Sequence, residues 1–152
     1  MASYSFLDVS VVISGTGGSF DLGECSAAEG VTIAHDNPMT ETTMGADGCI
    51  MHSLMEAGNL ATVTVNLLKT SVTNSKLSTM LEAQKQSAAT WGDNVISITD
   101  RARGDDITLS EAAFVTQPAN GWAAVAGTIP WSFRGKVTSN KLGAGILANA
   151  IN

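Results

Sequence analysis

The chain has 152 residues, a length typical of one domain that buries a sizeable core. Fourteen Asp and Glu outnumber eight Lys and Arg, which gives a net charge of −6. This balance argues against a nucleic-acid reader, because holding DNA requires a basic patch that displaces counterions. Charged residues make up only 14% of the chain. So low a charged fraction is typical either of a β protein whose surface is rich in Ser and Thr or of a subunit whose surface is covered in an assembly.

The N-terminus has no recognisable export signal, because its first residues, MASYSFLDVS, lack a basic start. No apolar run approaches the roughly 20 residues that span a membrane. We therefore expect a protein without a membrane partner that stays in the cytoplasm of the cell that makes it.

Alternating apolar residues predict a first strand over 6–14. Its inward face is expected to carry four apolar side chains, namely Leu7, Val9, Val11 and Ile13. The glycine-rich sequence GTGG at 15–18 has two interpretations, a phosphate-binding loop or a hairpin turn. A dinucleotide-binding loop requires a helix directly after the glycines, whereas 19–23 has an extended pattern, so the hairpin is favoured.

The next part of the chain is predicted as a meander of short strands at 31–34, 40–44 and 49–55. The last two are joined by Gly45-Ala-Asp47-Gly48, a tight turn in which Gly48 is free to adopt a positive φ. We call Gly45, Asp47 and Gly48 the structural turn.

The stretch 40–86 is expected to organise the fold because it joins two kinds of periodicity. Over 59–69 apolar residues alternate with Thr and Asn, which predicts a strand with one buried face. The apolar set is Leu60, Val63, Val65 and Leu67. After Lys69 the spacing changes to i, i+3, i+4 and i+7, which predicts an amphipathic helix. Its packing stripe is Leu77, Met80, Leu81 and Gln84.

Signals for helix ends and further strands follow. Ser71 or Thr73 is expected to supply the N-cap oxygen, and Gly92 the exit from the helix. The remaining predicted elements are a strand at 95–98 buried on both faces, a charged loop at 101–106, an unassigned segment at 107–117, a last strand at 127–136 and a Gly/Ala/Asn-rich tail at about 139–152. Pro130 is expected to confine the last strand to an edge or a bulge.

Taken in order, these motifs resemble the tail tube (inner tube) proteins of contractile-tailed bacteriophages. The order is the Gly45-x-Asp47-Gly48 turn, the alternating strand, Thr-Ser-x-Thr-Asn-x-x-Leu at 70–77, and Trp131-x-Phe133-x-Gly135 in the last strand. The resemblance covers about 6–143. It implies one all-β domain over 1–152, with a short N-terminal arm and one packed α-helix, built as a β-sandwich or partly closed β-barrel.

The same resemblance implies a structural, non-enzymatic virion protein whose hexameric rings stack into a tube inside a contractile sheath. Its implied partners are copies of itself, the tail sheath protein, tail terminator and baseplate proteins, and genomic DNA that passes through without specific binding. The implied location is the virion tail, after assembly in the host cytoplasm. In the family a long hairpin reaches toward the neighbouring ring, and we expect that hairpin at 32–43. A wall along which DNA slides is expected to be acidic or neutral.

Two other functions stay open. A ring-forming component of a contractile secretion system has a similar fold and differs in what travels through it. A monomeric β-barrel that binds a small ligand in its interior belongs to a different class. The size and shape of the purified particle distinguish the three, since they predict open-ended tubes, discrete rings and a compact monomer respectively.

No chemistry-bearing constellation stands out, so we expect no catalytic residues and no cofactor. Cys25, His35, Cys49 and His52 add up to a zinc ligand set, yet only Cys49 and His52 have a ligand-like spacing. Plain core or surface roles are therefore favoured for all four. A Gly-x-Ser-x-Gly elbow is absent from the sequence.

Cys25 and Cys49 are candidates for disulfides between subunits, because a released virion leaves a reducing cytoplasm for an oxidising medium. The simpler interpretation is two isolated thiols, since a bridge needs Cα atoms within roughly 7 Å of each other. Any bridge is expected to lock neighbouring subunits rather than to staple one domain.

Overall fold

The computed structural model describes residues 4–22 and 26–144, with the backbone alone for 26–29. In these residues the chain forms nine β-strands, one α-helix and two short 3-10 turns. The strands are β1 (Val9–Gly15), β2 (Gly18–Asp21), β3 (Ser26–His35), β4 (Thr40–Met44), β5 (Ile50–Leu54), β6 (Leu60–Leu68), β7 (Asn94–Asp100), β8 (Asp105–Phe114) and β9 (Thr128–Lys141). The helix α1 is Thr73–Gln84, and the 3-10 turns are Phe6–Asp8 and Glu56–Asn59.

Seven strands form one antiparallel sheet in the order β2-β1-β7-β8-β9-β6-β3. The other two, β4 and β5, form a separate two-stranded sheet. The large sheet is open, since β2 and β3 are its outer strands. The predicted all-β fold with one packed helix is confirmed, and the sheet does not close on itself within one chain.

One face of the large sheet is buried against α1. The helix contributes Leu77, Met80, Leu81 and Gln84, which are at most 4% exposed. Alternate residues of β6, β8 and β9 face them and complete a single apolar core. Burial of these side chains is the main source of stability for a domain of this kind.

The strand β6 alternates as predicted except at its first residue. Val63, Val65 and Leu67 are fully buried, and Ala61 occupies the next inward position. Leu60 is 36% exposed, because successive residues of a strand point to opposite faces and Leu60 precedes Ala61 by one. The prediction that Leu60 belongs to the buried set is therefore wrong.

Two side-chain arrangements fix the ends of α1 to the sheet. Near the N-terminus of α1, the indole N–H of Trp131 donates to Asn74 Oδ1 at 2.9 Å. Near the C-terminus, Gln84 and Asn94 exchange two hydrogen bonds of 2.6 and 3.0 Å, and Gln84 also donates to Thr16 O at 2.9 Å. Both amides are buried, so this pairing satisfies groups whose isolation would be costly.

The predicted N-cap is wrong, because the N-cap of α1 is Val72, which provides no side-chain cap. Ser71 Oγ accepts the N–H of Thr73 at 3.3 Å, whereas Thr73 is itself the first helical residue. The predicted helix exit at Gly92 is also wrong, because α1 ends at Gln84 with Lys85 as its C-cap. Gly92 has φ +87 and lies shortly before β7.

The last-strand motif lies on the buried face of β9. Trp131 is 3% exposed and Phe133 is fully buried. The ring of Phe114 packs against both, at centroid distances of 5.9 Å and 4.8 Å. The motif therefore anchors β9 to β8 through aromatic contacts.

Gly135, the third member of the motif, lies where the backbones of β8 and β9 approach closely. A Cβ on Gly135 would lie 2.8 Å from both Ser110 O and Ala112 Cα. The β8–β9 register shifts between Ser110 and Ala113, and Glu111 in this bulge has φ 54. This bulge interrupts the period-2 pattern of β8, which explains why 107–117 could not be assigned from sequence.

Two further burial predictions are wrong. Leu7 is 89% exposed because a 3-10 turn, Phe6–Asp8, replaces the start of the predicted strand. In β7, Ile96 is fully buried but Val95 is 42% exposed, because only one face of this strand meets the core.

Pro130 lies in β9, which has a neighbour on each side in the sheet, and pairs with Asn66 of β6. On the other side, Ser132 O accepts the N–H of Val115 at 3.0 Å. Backbone groups of residues two apart in a strand point to the same side, so the Pro130 nitrogen faces the β8 side, as Ser132 does. The strand β8 ends at Phe114, before it reaches the position opposite Pro130. The expectation of an edge strand is wrong, but the missing N–H still falls where no β8 residue lies opposite.

The C-terminal tail begins later than expected. Ser139 and Asn140 belong to β9 and pair with Thr108 and Ile107 of β8. The strand ends at Lys141, and 145–152 lie outside the described residues.

Candidate assembly surfaces

The hairpin β4–β5 stands apart from the large sheet. Its strands pair from Thr40 and Leu54 at the root to Met44 and Ile50 at the tip, and none of its residues is buried. A two-stranded hairpin is marginally stable by itself in water. The projecting hairpin was expected at 32–43, but 31–35 pair with β6 as part of β3.

The structural turn closes the tip of this hairpin. Gly45 N–H donates to Cys49 O at 2.7 Å, and Gly48 N–H to Gly45 O at 3.0 Å. Gly48 has φ +91, a conformation that other residues rarely adopt. Asp47 accepts hydrogen bonds from the N–H and the thiol of Cys49, at 3.1 and 3.3 Å, and these bonds lower the pKa of Asp47 below its ordinary value of 3.8.

The two faces of the hairpin differ in polarity. Cross-strand register places three exposed apolar side chains on one face, namely Met44 (66% exposed), Ile50 (55%) and Leu54 (81%), beside the polar Thr40, Thr42 and His52. The opposite face has Glu41 beside Ser53 and Thr43 beside Met51. We call the first of these the apolar hairpin face. Because nothing in its own chain covers it among the described residues, it is a candidate contact surface.

The root of the hairpin is held firmly. Met55 N–H donates to Met39 O at 2.8 Å, which continues the ladder beyond the last strand pair. His35 Nδ1 lies 2.8 Å from Gly58 O, which ties β3 to the 3-10 turn after β5. The tip is therefore free while the root is fixed to the large sheet.

A cavity of about 530 Å³, which we call the root cavity, lies beside this root. It is lined by His35, Asn37, Pro38, Met39, Asn59 and the β9 segment 137–140. The strand β6 begins at Leu60, opposite Lys136. Residues of β9 beyond 136 therefore pair with β8 on one side and, among the described residues, with no strand on the other.

The face of the large sheet opposite α1 is rich in hydroxyl groups, and we call it the hydroxyl face. One row across three strands is Thr32, Thr64 and Ser132, and another is Ser97, Thr108 and Ser139. Arg134 also lies on this face, where its Nε is 3.2 Å from Asp36 Oδ2. This arginine is thus partly neutralised by a neighbouring carboxylate.

The outer strands of the large sheet differ in length. The strand β2 has four residues, whereas β3 has ten. An outer strand presents unpaired N–H and C=O groups, which pair readily with a strand from another chain. The open sheet therefore offers two different edges for self-association.

The residues considered for metal binding are dispersed. His35 lies at the hairpin root, and His52 Nδ1 lies 2.8 Å from Thr42 Oγ1 on the hairpin. Cys49 is an exposed free thiol at the tip, and Cys25 lies outside the described residues. Within 4–22 and 26–144, no group of three His, Cys, Asp or Glu is placed to hold a metal ion. Two isolated thiols stay the favoured prediction for Cys25 and Cys49, with inter-subunit disulfides at these residues as the alternative.

No helix in the described part of the chain is both long and apolar enough to cross a membrane. None of the curated proteins matches this chain. Among solved structures, the chain is similar in fold to one from a sheath-tube complex of an extracellular contractile injection system, PVC, in its extended state, with 14% identity over 88% of each chain and a TM-score of 0.45. A chain of the anti-feeding prophage baseplate is 12% identical over 96% of this chain and 97% of that one, with a TM-score of 0.49.

The sequence comparison with family models is more specific. The model of the bacteriophage PhiTE tail tube protein matches residues 1–143, nearly the whole chain. That match includes the alternating strand β6, the helix α1 and the β9 motif on which the resemblance was based. The chain therefore belongs to the bacteriophage PhiTE tail tube protein family.

Proposed function

We propose that this tail tube protein forms hexameric rings that stack into the conduit for genome delivery inside a contractile sheath. Its partners are further copies of itself, the tail sheath protein, and terminator and baseplate proteins at the two tube ends. Membership of the tail tube family carries the proposal. The exposed hairpin and the two open edges of the sheet support it, because each is a surface that an assembly would cover.

The hydroxyl face is the proposed wall of the tube, with α1 on the outside. The rows of Ser and Thr offer neutral groups, and Asp36 partly neutralises Arg134. Lys136 is exposed on the same face, opposite Leu60, and forms no salt bridge within the described residues. Passing DNA would therefore find few cations that release its counterions, so it would slide rather than bind. We assign the protein no catalytic role.

Electron microscopy of the purified protein tests the tube. Open-ended tubes with a continuous bore are expected at high concentration, and their cross-section gives the number of subunits in a ring. A compact monomer under all conditions would contradict the proposal and favour a small-ligand carrier. Discrete rings without stacking would favour the secretion-system component, which is the closest alternative.

A charge introduced on the wall tests the orientation of the sheet. Thr64→Lys lies on the hydroxyl face, and Thr79→Lys on the exposed side of α1 is its matched control. Tubes of Thr64→Lys are expected to retain DNA fragments in low salt and release them in high salt, whereas Thr79→Lys tubes retain none inside. Equal retention by both variants would contradict an inward hydroxyl face.

The last part of the proposal concerns where the subunits assemble. We propose that subunits fold and associate in the host cytoplasm before the tail is complete. Fractionation of infected cells before lysis is expected to find the protein in the soluble extract and then in particles. Recovery with the membrane fraction would contradict this route.

A further inference from the structure

We propose that the C-terminal segment 145–152 folds back along β9 and fills the root cavity of its own chain. The segment has the sequence Gly-Ile-Leu-Ala-Asn-Ala-Ile-Asn and follows Ala144, where the described residues end. Its occupied site belongs to the same chain and not to a second copy. The inference concerns a single subunit, so it goes beyond the proposed function and holds whether or not tubes form.

The first argument is the free edge of β9 beside the root cavity. The strand β9 pairs with β6 only as far as Lys136. Its last five residues, 137–141, pair with β8 on one side and, among the described residues, with no strand on the other. The backbone groups on that side are available to a further strand. An extended segment that lies there gains backbone hydrogen bonds while its side chains enter the cavity.

The second argument is the point at which the described chain ends. Gly143 N–H donates to Asp105 Oδ1 at 2.9 Å, so the chain leaves β9 at a fixed place beside the start of β8. The residues 142–145 that would reverse its direction include glycine at 143 and 145. A four-residue loop is a common connection between two antiparallel strands.

The segment is also long enough for the free edge. Seven residues separate Ala144 from Val137 at the far end of that edge, which is about 23 Å along a strand. The eight residues that follow Ala144 span about 27 Å when extended. The segment therefore reaches the whole edge without displacing any described element.

The third argument is the match in polarity. No Lys, Arg, Asp or Glu is among the residues that line the cavity, and the segment has none either. The large apolar side chains of the segment are Ile146, Leu147 and Ile151, and the apolar lining is Pro38, Met39 and Val137. The β4–β5 hairpin fits this cavity less well, because it carries Glu41 and Asp47 and buried charges are costly.

The polar side chains around the cavity already have partners within the chain. His35 Nδ1 lies 2.8 Å from Gly58 O, and its Nε2 lies 3.3 Å from Asn140 Nδ2. Asn37 Nδ2 donates to Ala57 O at 3.2 Å. The cavity therefore needs apolar contacts and backbone pairing more than a polar ligand, which is what the segment offers.

A docked segment would protect the free subunit. An uncovered strand edge next to an apolar recess pairs readily with other chains. With 145–152 in place, the end of β9 has a neighbour on both sides and the recess is filled. The segment thus acts as a strap that limits self-association at this edge.

Hydrogen exchange of the full chain and of a chain that ends at Ala144 tests the contact. A melting temperature close to that of the full chain shows that the shortened chain is folded. The backbone amides of 137–141 are expected to exchange about tenfold faster or more in the shortened chain. Those of 129–133, which have β6 and β8 on either side, should not change. Equal exchange at 137–141 in the two chains would overturn the inference.

Dilution distinguishes the chain's own segment from a second copy. Protection of 137–141 in the full chain is expected to stay constant over about a hundredfold dilution, because an intramolecular contact does not depend on concentration. Protection that falls on dilution would mean that another copy covers the edge, and this would overturn the inference.

Two substitutions in the full chain test the chemistry of the contact. Leu147→Asp puts a charge on an apolar residue of the segment, and Asn149→Asp puts the same charge on a residue that is already polar. Leu147→Asp should exchange at 137–141 like the shortened chain, whereas Asn149→Asp should retain most of the protection. Equal exchange in the two variants would overturn the inference.

The protective role has its own measurement. Light scattering is expected to detect self-association of the shortened chain at a concentration about two- to tenfold lower than for the full chain. An unchanged concentration would overturn the role of the segment as a strap. Full-length protein that forms no tubes would contradict the proposed function alone, because the exchange experiments use single subunits.

Discussion

The core around α1 and the hairpin β4–β5 both contain large apolar side chains, which are buried in the core and exposed in the hairpin. In the core, Leu77 and Met80 are fully buried and both ends of the helix are tied to the sheet by side-chain hydrogen bonds. In the hairpin, Leu54 and Met44 are 81% and 66% exposed. Its side-chain hydrogen bonds stay within the hairpin, at the Asp47 turn and between Thr42 and His52. The core is complete within one chain, whereas no part of the described chain covers the apolar hairpin face.

From this difference we expect the core to determine the stability of the monomer and the hairpin to act on assembly. A two-stranded hairpin adds little to the folding free energy of a domain, so changes in it should leave unfolding of the monomer almost untouched. Changes in the core should act on unfolding directly. Matched substitutions in the two regions therefore test whether the division is real.

The largest contrast is expected between Leu77→Ala and Leu54→Ala. Removing the buried Leu77 side chain should lower the unfolding free energy by about 2–5 kcal/mol, because it leaves a cavity beside Met80 and Leu81. Leu54→Ala should change it by less than about 0.5 kcal/mol while weakening tube formation. Urea denaturation of monomers and pelleting of tubes measure the two effects. Comparable destabilisation by both would contradict the division.

The core is also the part that could be predicted from sequence. The stripe of Leu77, Met80 and Leu81 needs only helical spacing, and the buried side of β6 needs only alternation, so local patterns suffice. The pairing of Gln84 with Asn94 could not be predicted, because it joins residues on a helix and a strand whose contact depends on the fold. The bulge at Glu111 could not be predicted either, because it depends on how β8 pairs with β9, and its extra residue breaks the alternation of β8.

A smaller loss of stability is expected from Gly135→Ala. A methyl group there would meet Ser110 O and Ala112 Cα at 2.8 Å, so β8 and β9 would have to separate. We expect a loss of about 1–3 kcal/mol in the unfolding free energy. Gly121→Ala is the matched control, since an added Cβ there meets nothing within 4 Å. Equal stability of the two variants would mean that the backbones are not held this close.

The position of the hairpin outside the main sheet could not be predicted from sequence patterns. Short strands on either side of the tight turn were predicted at 40–44 and 49–55, and β4 and β5 lie there. They were expected to continue the meander of the main sheet, but they form a separate two-stranded sheet. An apolar face in a sequence does not say whether its own chain or another copy covers it. The separate position of β4 and β5, and the recess beside their root, depend on how β3 and β9 pair with β6.

Strain at the tip should affect assembly more than folding. Gly48→Val forces a β-branched residue into φ +91, a local cost of about 1–3 kcal/mol, although no atom lies within 4 Å of the new Cβ. Because the hairpin is only marginally stable, that cost should disorder the tip rather than unfold the core. The melting temperature should stay nearly constant while tubes are lost. Gly48→Asn, which tolerates positive φ better, should retain part of the assembly, and normal tubes from Gly48→Val would show that the turn is dispensable.

The smallest expected effect is a change of the tip in acid. Hydrogen bonds from the N–H and the thiol of Cys49 lower the pKa of Asp47 below 3.8, so the folded turn favours the ionised carboxylate. The stabilisation that this carboxylate gives the turn is therefore complete above pH 3.8 and is lost as the pH falls below 3.8 through the lowered pKa. The group is fully exposed, so salt should screen the effect and the core should not respond. A proton NMR titration of the Cys49 amide should show a midpoint below 3.8 that disappears in Asp47→Asn. A midpoint at or above 3.8 would mean that the carboxylate does not hold the turn in solution, and that Gly48 alone shapes the tip.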